Sequence, residues 1–184
     1  MLDNDVDTSI LDDEAKTLIS NGEGLIYVAR NNELIGILGI QDKLRDNMKK
    51  AINNLRYQGI DDIALLTGDL KEQAEIVANK MAVDRYEAQL FPEDKAKQVL
   101  SIQSKGAKVI MVGDGINDAP ALAYADVGVA IGGGMTDVAM EASDITIQSD
   151  NPMLLPAIVD MSNKTMNIVK QNFGMAIGIN TLGL

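Results

Sequence analysis

A chain of 184 residues is long enough to bury one sizeable core and to carry a second, smaller lobe. Its 46% hydrophobic and 23% charged residues are ordinary for a globular domain, and with aromatics at 3% the interior falls to Ile, Leu, Val, Ala and ten Met. A net charge of −11, with no basic run longer than Lys49-Lys50, argues against nucleic acid as a partner. The absence of Cys and His excludes disulfides, thiolate and imidazole metal sites, a Ser-His-Asp triad and a His general base.

In chain order, Met1-Leu2-Asp3-Asn4-Asp5 is acidic and does not read as a signal peptide. Acids at Asp12-Asp13-Glu14 ahead of Ala15, Leu18 and Ile19 predict a short helix, ended by Asn21-Gly22. Two apolar runs, 25–29 and 34–40, flank the turn-forming pair Asn31-Asn32 and predict a β-hairpin. From Gln41 the rhythm becomes alternating helices and strands. Leu44, Met48, Ala51, Ile52 and Leu55 mark a helix closed by Gly59, and residues 63–66 mark a buried strand ending at Thr67-Gly68-Asp69. A helix through Ala74–Met81, a short strand within 86–90 and a helix opened by Pro92 follow. Then come a strand over 108–112, a helix over 117–125, a strand over 127–131, a Gly132-Gly133-Gly134 turn, a short helix over 137–142 and a last strand at 145–147. Repeated strand–helix units predict a mostly parallel sheet, with the boundary to the hairpin lobe near Gly39.

After Pro152 the apolar spacing predicts one continuous helix, and its last twelve residues, 173–184, carry no charge. A membrane span needs roughly twenty such residues. The tail therefore reads either as a terminal core helix or as the lead-in to a span, with Lys164 and Lys170 on the cytoplasmic side.

Three strand ends carry candidate chemistry. Thr67-Gly68-Asp69 offers a hydroxyl and free backbone N–H groups to phosphate oxygens, although Thr-Gly-Asp is also an ordinary turn. Lys95, in Pro92-Glu93-Asp94-Lys95, is a point charge suited to a transferring phosphoryl group, although most lysines are simply solvated. The third is Val109-Ile110-Met111-Val112-Gly113-Asp114-Gly115-Ile116-Asn117-Asp118-Ala119-Pro120, a buried strand, a glycine turn and a helix start. It puts Asp114, Asn117 and Asp118 where open α/β sheets hold their ligands, and two carboxylates with an Asn suit a hard cation such as Mg2+. The plainer alternative is a helix N-terminus that favours Asp and Asn. Together the three loops make a phosphoryl-transfer site. No strand here ends in Asp-x-Asp or Asp-Lys-Thr-Gly-Thr, so the nucleophile is expected outside these residues.

Leu66-Thr67-Gly68-Asp69, Phe91-Pro92-Glu93-Asp94-Lys95, Met111–Ala123 and Ala125–Gly132 together resemble the phosphorylation domain of P-type ATPases, and in wording most closely the heavy-metal-transporting branch. Asp42-Lys43-Leu44-Arg45 resembles that family's Asp-x-x-Arg hinge, Gly24–Gly36 the closing hairpin of its nucleotide domain, and Val169-Lys170-Gln171-Asn172 the approach to the next membrane helix. The resemblance implies a haloacid-dehalogenase-like, Rossmann-like α/β fold and ATP-driven ion transport through an aspartyl phosphate. It divides the chain into 1–39 (end of the nucleotide domain), 40–150 (phosphorylation domain) and 151–184 (helix leading into a cut-off membrane segment).

Carried over by position, Thr67 and Gly68 would contact the phosphoryl group and Lys95 would neutralise it. Asp114 would bind Mg2+, and Asn117 and Asp118 would orient the phosphoryl group and the metal shell. Asp69, Asp42 and Arg45 would lie near ATP at the hinge. Leu70 stands where the family has a polar residue. Asn180 stands where the copper branch has Tyr-Asn, preceded here by Ile179, and the Lys of the zinc branch is absent; Asn180 reads either as a ligand of the transported cation or as a helix–helix hydrogen bond. The implied partners are the rest of the same pump, the membrane and the metal cation, with most of the chain on the cytoplasmic side. A fragment without the phosphorylated Asp is expected to be inactive alone. The competing readings are a soluble haloacid-dehalogenase-type phosphatase, which needs its own nucleophile and has no use for the apolar tail, and a Mg2+-binding regulatory module that has lost activity.

Overall fold

The computed structural model describes residues 6–40, 43–114 and 116–183, with the side chains of Ile116 and Leu182 outside the description. Helix α1 (Asp12–Ser20) leads into strands β1 (Gly24–Arg30) and β2 (Glu33–Ile40), an antiparallel pair. Asn31 (φ 52°) and Asn32 (φ 62°) both adopt the left-handed conformation, the pair a tight two-residue hairpin requires and the reason two Asn mark the turn. The lobe leans on the rest of the chain where Gly22 lies beside Ile76.

The α/β body follows: α2 (Met48–Tyr57), β3 (Ala64–Leu66), α3 (Lys71–Met81), β4 (Arg85–Glu87), α4 (Pro92–Gln103), β5 (Ile110–Gly113), α5 (Ala119–Tyr124), β6 (Val127–Ile131), α6 (Asp137–Glu141), β7 (Ile145–Ile147) and α7 (Leu154–Leu182). All its strand pairs are parallel. They form two ladders, β3–β4 and β5–β6–β7, with no hydrogen-bonded register between β3 and β5 among the described residues. Side chains bridge that division: Leu66 of β3 packs against the cluster of Val99, Met111, Ala121, Leu122 and Ala139. Leu155 and Ile158 of α7 pack against a second cluster, Val129, Ile131 and Ile147.

Four of the boundaries that depart from the periodicity do so for a clear local reason. The helix expected from Leu44 starts at Met48, because Asn47 at φ 66° cannot belong to a right-handed helix. Strand β4 stops at Glu87, short of Gln89, whose φ of 56° breaks extended pairing. Strand β5 starts at Ile110 rather than 108, since the Val109 N–H donates to the Asp126 carboxylate (2.9 Å). The helix expected over 117–125 divides into a tight turn, Ile116–Asp118, and α5, with Pro120 in the first turn of α5 where no N–H is needed.

The root of α7 is fastened by Gln58, whose Nε2 donates to the Pro156 carbonyl (3.0 Å). Beyond it Met161, Met166, Ile168, Val169, Phe173, Met175, Ile177 and Ile179 are exposed. Among the described residues no helix is long and apolar enough to cross a membrane.

Candidate functional site

The three loops named from the sequence lie at the carboxyl ends of β3 and β5 and at the head of α4. At the end of β3 the Thr67 hydroxyl donates to Asp69 Oδ2 (2.7 Å) and accepts from the Asp69 N–H (3.1 Å), an internally bonded turn that fixes the hydroxyl. The Thr67 carbonyl accepts from the Leu90 N–H (3.0 Å), tying down the loop that launches α4. Pro92 begins that helix, and the Phe91 N–H donates to Asp94 Oδ2 (3.3 Å). Lys95 follows within the first turn.

From there Lys95 Nζ donates to Asp118 Oδ1 at 2.7 Å, and the two side chains are only 14% and 15% exposed. Asp118 occupies the N-cap position of α5 yet makes no capping bond. Its carboxylate turns instead to Lys95, so the plain helix-cap reading does not account for it. Gly113 makes room: a Cβ there would lie 2.6 Å from Asp118 Cβ, closer than side chains tolerate. Gly128 permits a second close approach, its missing Cβ falling 2.6 Å from the Leu122 carbonyl, so that α5 lies down on β6.

Asp114, one residue beyond β5, behaves differently. Its side chain is 63% exposed, and the nearest cation is Arg45, whose Nη2 lies 3.5 Å from Asp114 Oδ2. The same Nη2 is 3.2 Å from Asp150 Oδ1, which also accepts from the Gly133 N–H at 3.2 Å. Arg45 thus joins the loop before α2, the end of β5 and the loop before α7. An open cavity of about 460 Å3 runs along this junction, lined by Lys43, Leu44, Arg45, Asn47, Asp150 and Pro152.

Of the sequence candidates, Lys95, Asp118, Asp114 and Arg45 are brought together in this way, and Thr67, Gly68 and Asp69 hold the neighbouring strand end. Asn117 is exposed in the turn before α5. Asp42 lies outside the described residues. Asn180 is exposed near the far end of α7, about 39 Å along the helix from Leu154 at 1.5 Å per residue. Asp150 was not foreseen; Ser149-Asp150-Asn151-Pro152 reads as a generic turn, and only the crossing of Arg45 distinguishes it. Among the described residues no three His, Cys, Asp or Glu side chains converge as a cage. Mg2+ keeps several waters and takes one or two carboxylates together with substrate phosphates. Asp114 supplies a hard, solvent-facing oxygen of that kind.

Residues 3–126 match the haloacid dehalogenase-like hydrolase family. The chain belongs to that family. Within this hydrolase family its likeness extends along the whole chain to P-type ATPases. It is 41% identical over 185 residues to the copper-exporting P-type ATPase of Staphylococcus aureus, strains JH9 and COL alike, covering 100% of this chain and 23% of the relative. A zinc-transporting PIB-type ATPase in its E2.Pi state superposes with a TM-score of 0.78 at 33% identity, covering 95% of this chain and 28% of that one. The catalytic CPx-ATPase domain CopB-B superposes at 0.60 with 29% identity, covering 72% of this chain and 53% of that one. The chain spans less than a quarter of the length of these curated relatives.

Proposed function

We propose that this chain supplies the phosphoryl-stabilising and metal-holding side of an aspartyl-phosphate site in a heavy-metal P-type ATPase, an integral membrane pump. The observation that carries the reading is the paired, nearly buried Lys95–Asp118 beside an open Asp114, the lysine at the head of α4 and both acids just beyond the carboxyl end of β5. Likeness to the copper-exporting and zinc-transporting ATPases over 95–100% of the chain supports it. The relatives differ in cargo, copper in one and zinc in the other, and share a heavy-metal cation; Asn180 is a candidate ligand for it.

In this reading residues 1–39 close a nucleotide domain, 40–150 form the phosphorylation domain and 151–184 lead toward the membrane. The γ-phosphoryl of ATP passes to a carboxylate oxygen as its bond to the departing ADP breaks; that carboxylate belongs to a strand absent from these 184 residues. The free edges of β3 and β5 leave room in the topology for one parallel strand. The Gly68 N–H holds a phosphoryl oxygen, and the Thr67 hydroxyl does so on turning from Asp69, to which it now donates; the flanking Thr67 and Asp69 N–H groups are already bonded, to the Glu87 carbonyl and the Thr67 hydroxyl. Lys95 is aimed by its bond to Asp118, and it offsets the negative charge of the group in transfer. Asn117 and Asp118 orient the phosphoryl group and the metal's water shell, while Asp69 and Arg45 lie near the nucleotide, the place the resemblance also assigns to Asp42. Mg2+, when bound at Asp114, supplies Lewis-acid neutralisation of phosphoryl oxygens.

The test has two arms. The 184-residue chain incubated with Mg2+ and γ-labelled ATP is expected to carry no acid-stable phosphate. A chimaera in which it replaces the aligned segment of the Staphylococcus aureus ATPase is expected to be labelled, and to lose at least about tenfold of that label with Asp114→Asn or Lys95→Met, since removing one such electrostatic contact typically costs that much or more. Label on the isolated chain would revive the phosphatase reading. A chimaera labelled equally with and without those substitutions would overturn the assignment of the site.

A further inference from the structure

Asp150 has no part in the chemistry described above, yet it shares one guanidinium nitrogen with the open carboxylate of the site. Arg45 Nη2 stands 3.5 Å from Asp114 Oδ2 and 3.2 Å from Asp150 Oδ1. A single cation between two carboxylates has two places to go. When a divalent cation takes Asp114, like-charge repulsion drives the guanidinium away, and its other partner is already in contact. Asp150 is itself held in place, because Oδ1 accepts the Gly133 N–H and the Gly133 backbone lies close to the carboxylate. It is anchored immediately before the root of α7, where Pro152 is buried and Leu155 packs on the core.

We propose that Asp150 is a positioning residue of the metal site: it receives Arg45 when Mg2+ binds Asp114, and so sets the affinity of that carboxylate for the metal. The proposal rests on the reading of Asp114 as the Mg2+ carboxylate. It makes Arg45 a competitor of the metal and Asp150 the relief for that competition. Metal binding is thereby coupled to the loop before α2 and to the base of α7, the two other segments the guanidinium touches. Arg45 is 30% exposed and Asp114 and Asp150 are 63% and 71% exposed, so the contacts are solvent-screened and the coupling is a few-fold effect.

The experiment is a Mg2+ titration of the 184-residue chain followed at the backbone amide resonances of Gly132 and Gly133, for wild type, Arg45→Gln, Asp150→Asn and the double variant, with Asp114→Asn as the site control. Arg45→Gln is expected to tighten Mg2+ about three- to fivefold and Asp150→Asn to weaken it about two- to threefold, the scale of exposed ion pairs. In the Arg45→Gln background Asp150→Asn is expected to have no effect, because Asp150 acts only through Arg45. Asn keeps the acceptor for the Gly133 N–H, so the loop itself is preserved. An equal weakening by Asp150→Asn with and without Arg45 would mark a simple field effect and overturn the proposal, as would no weakening at all. Wild-type affinity in Asp114→Asn would instead overturn the reading of the site on which the proposal rests.

Discussion

The two carboxylates of one loop, Asp114 and Asp118, differ more in their surroundings than their four-residue spacing suggests. Asp118 is nearly buried, bonded to an equally buried Lys95 and seated against a position where only glycine fits. Asp114 stands in solvent with a shared, longer contact to Arg45. The inner pair is built like part of the core, and the outer carboxylate like a ligand held ready. The difference teaches that a charged pair at a strand end serves two purposes. In the proposed site one acid would fix the cation that meets the phosphoryl group, and the other would stay free for an incoming one.

The largest effect expected from breaking this contrast is at Lys95. Lys95→Met leaves Asp118 with little solvent and no partner, and it is expected to lower unfolding stability by about 2–4 kcal/mol, read from urea denaturation. Adding Asp118→Asn to it should recover part of that loss; recovery of none would mean the pair is not its cause. Gly113→Ala comes next, since the new methyl must push Asp118 aside, with an expected cost of about 1–3 kcal/mol. If it melts like wild type, the close approach of strand and carboxylate is not a constraint in solution.

A third acid sharpens the comparison from the opposite end of β5. Asp126 is held well below the usual carboxylate range by the Lys108 ammonium, then by Gln103 and the Val109 N–H. Asp84 is lowered as well, chiefly by the Ile63 N–H, with Arg56 adding to it. A carboxyl lowered in the folded state contributes stability that is complete above its unfolded value near 3.8 and is lost as pH falls toward the folded one. The urea midpoint is therefore expected to fall as pH drops below about 4, with Asp126→Asn flattening that slope. An unchanged slope would remove Asp126 from the account. The smallest effect belongs to the outer group: Arg45→Gln is expected to change stability by less than about 1 kcal/mol, because its contacts are exposed and shared.

Much of this was legible in the residues. Asn31-Asn32 announced the hairpin, Pro92 and Pro120 the helix starts, and the apolar runs the parallel strands, because each signal is local. Thr67, Lys95, Asp114 and Asp118 stood out because they follow apolar runs or open helices; those runs are strands but not buried ones, since β3 is half-buried throughout and Ile110 of β5 is exposed. The unequal burial of the two acids was not legible, since burial of Asp118 depends on α4 crossing it from another loop. Asp150 was missed for the same reason: its partner lies 105 positions earlier, from Arg45 to Asp150, and no spacing rule links them. The division of the strands into two ladders was also hidden, because periodicity predicts strands and not their neighbours.

The contrast between the two acids is read out by the Mg2+ dissociation constants of Asp114→Asn and Asp118→Asn, measured side by side by calorimetry with the urea midpoint of each. A crossed result is expected. Asp114→Asn weakens Mg2+ by about tenfold or more and leaves the midpoint in place, as loss of an exposed ligand should. Asp118→Asn lowers the midpoint and weakens Mg2+ less. Full Mg2+ affinity in Asp114→Asn, or a larger loss in Asp118→Asn, would contradict it.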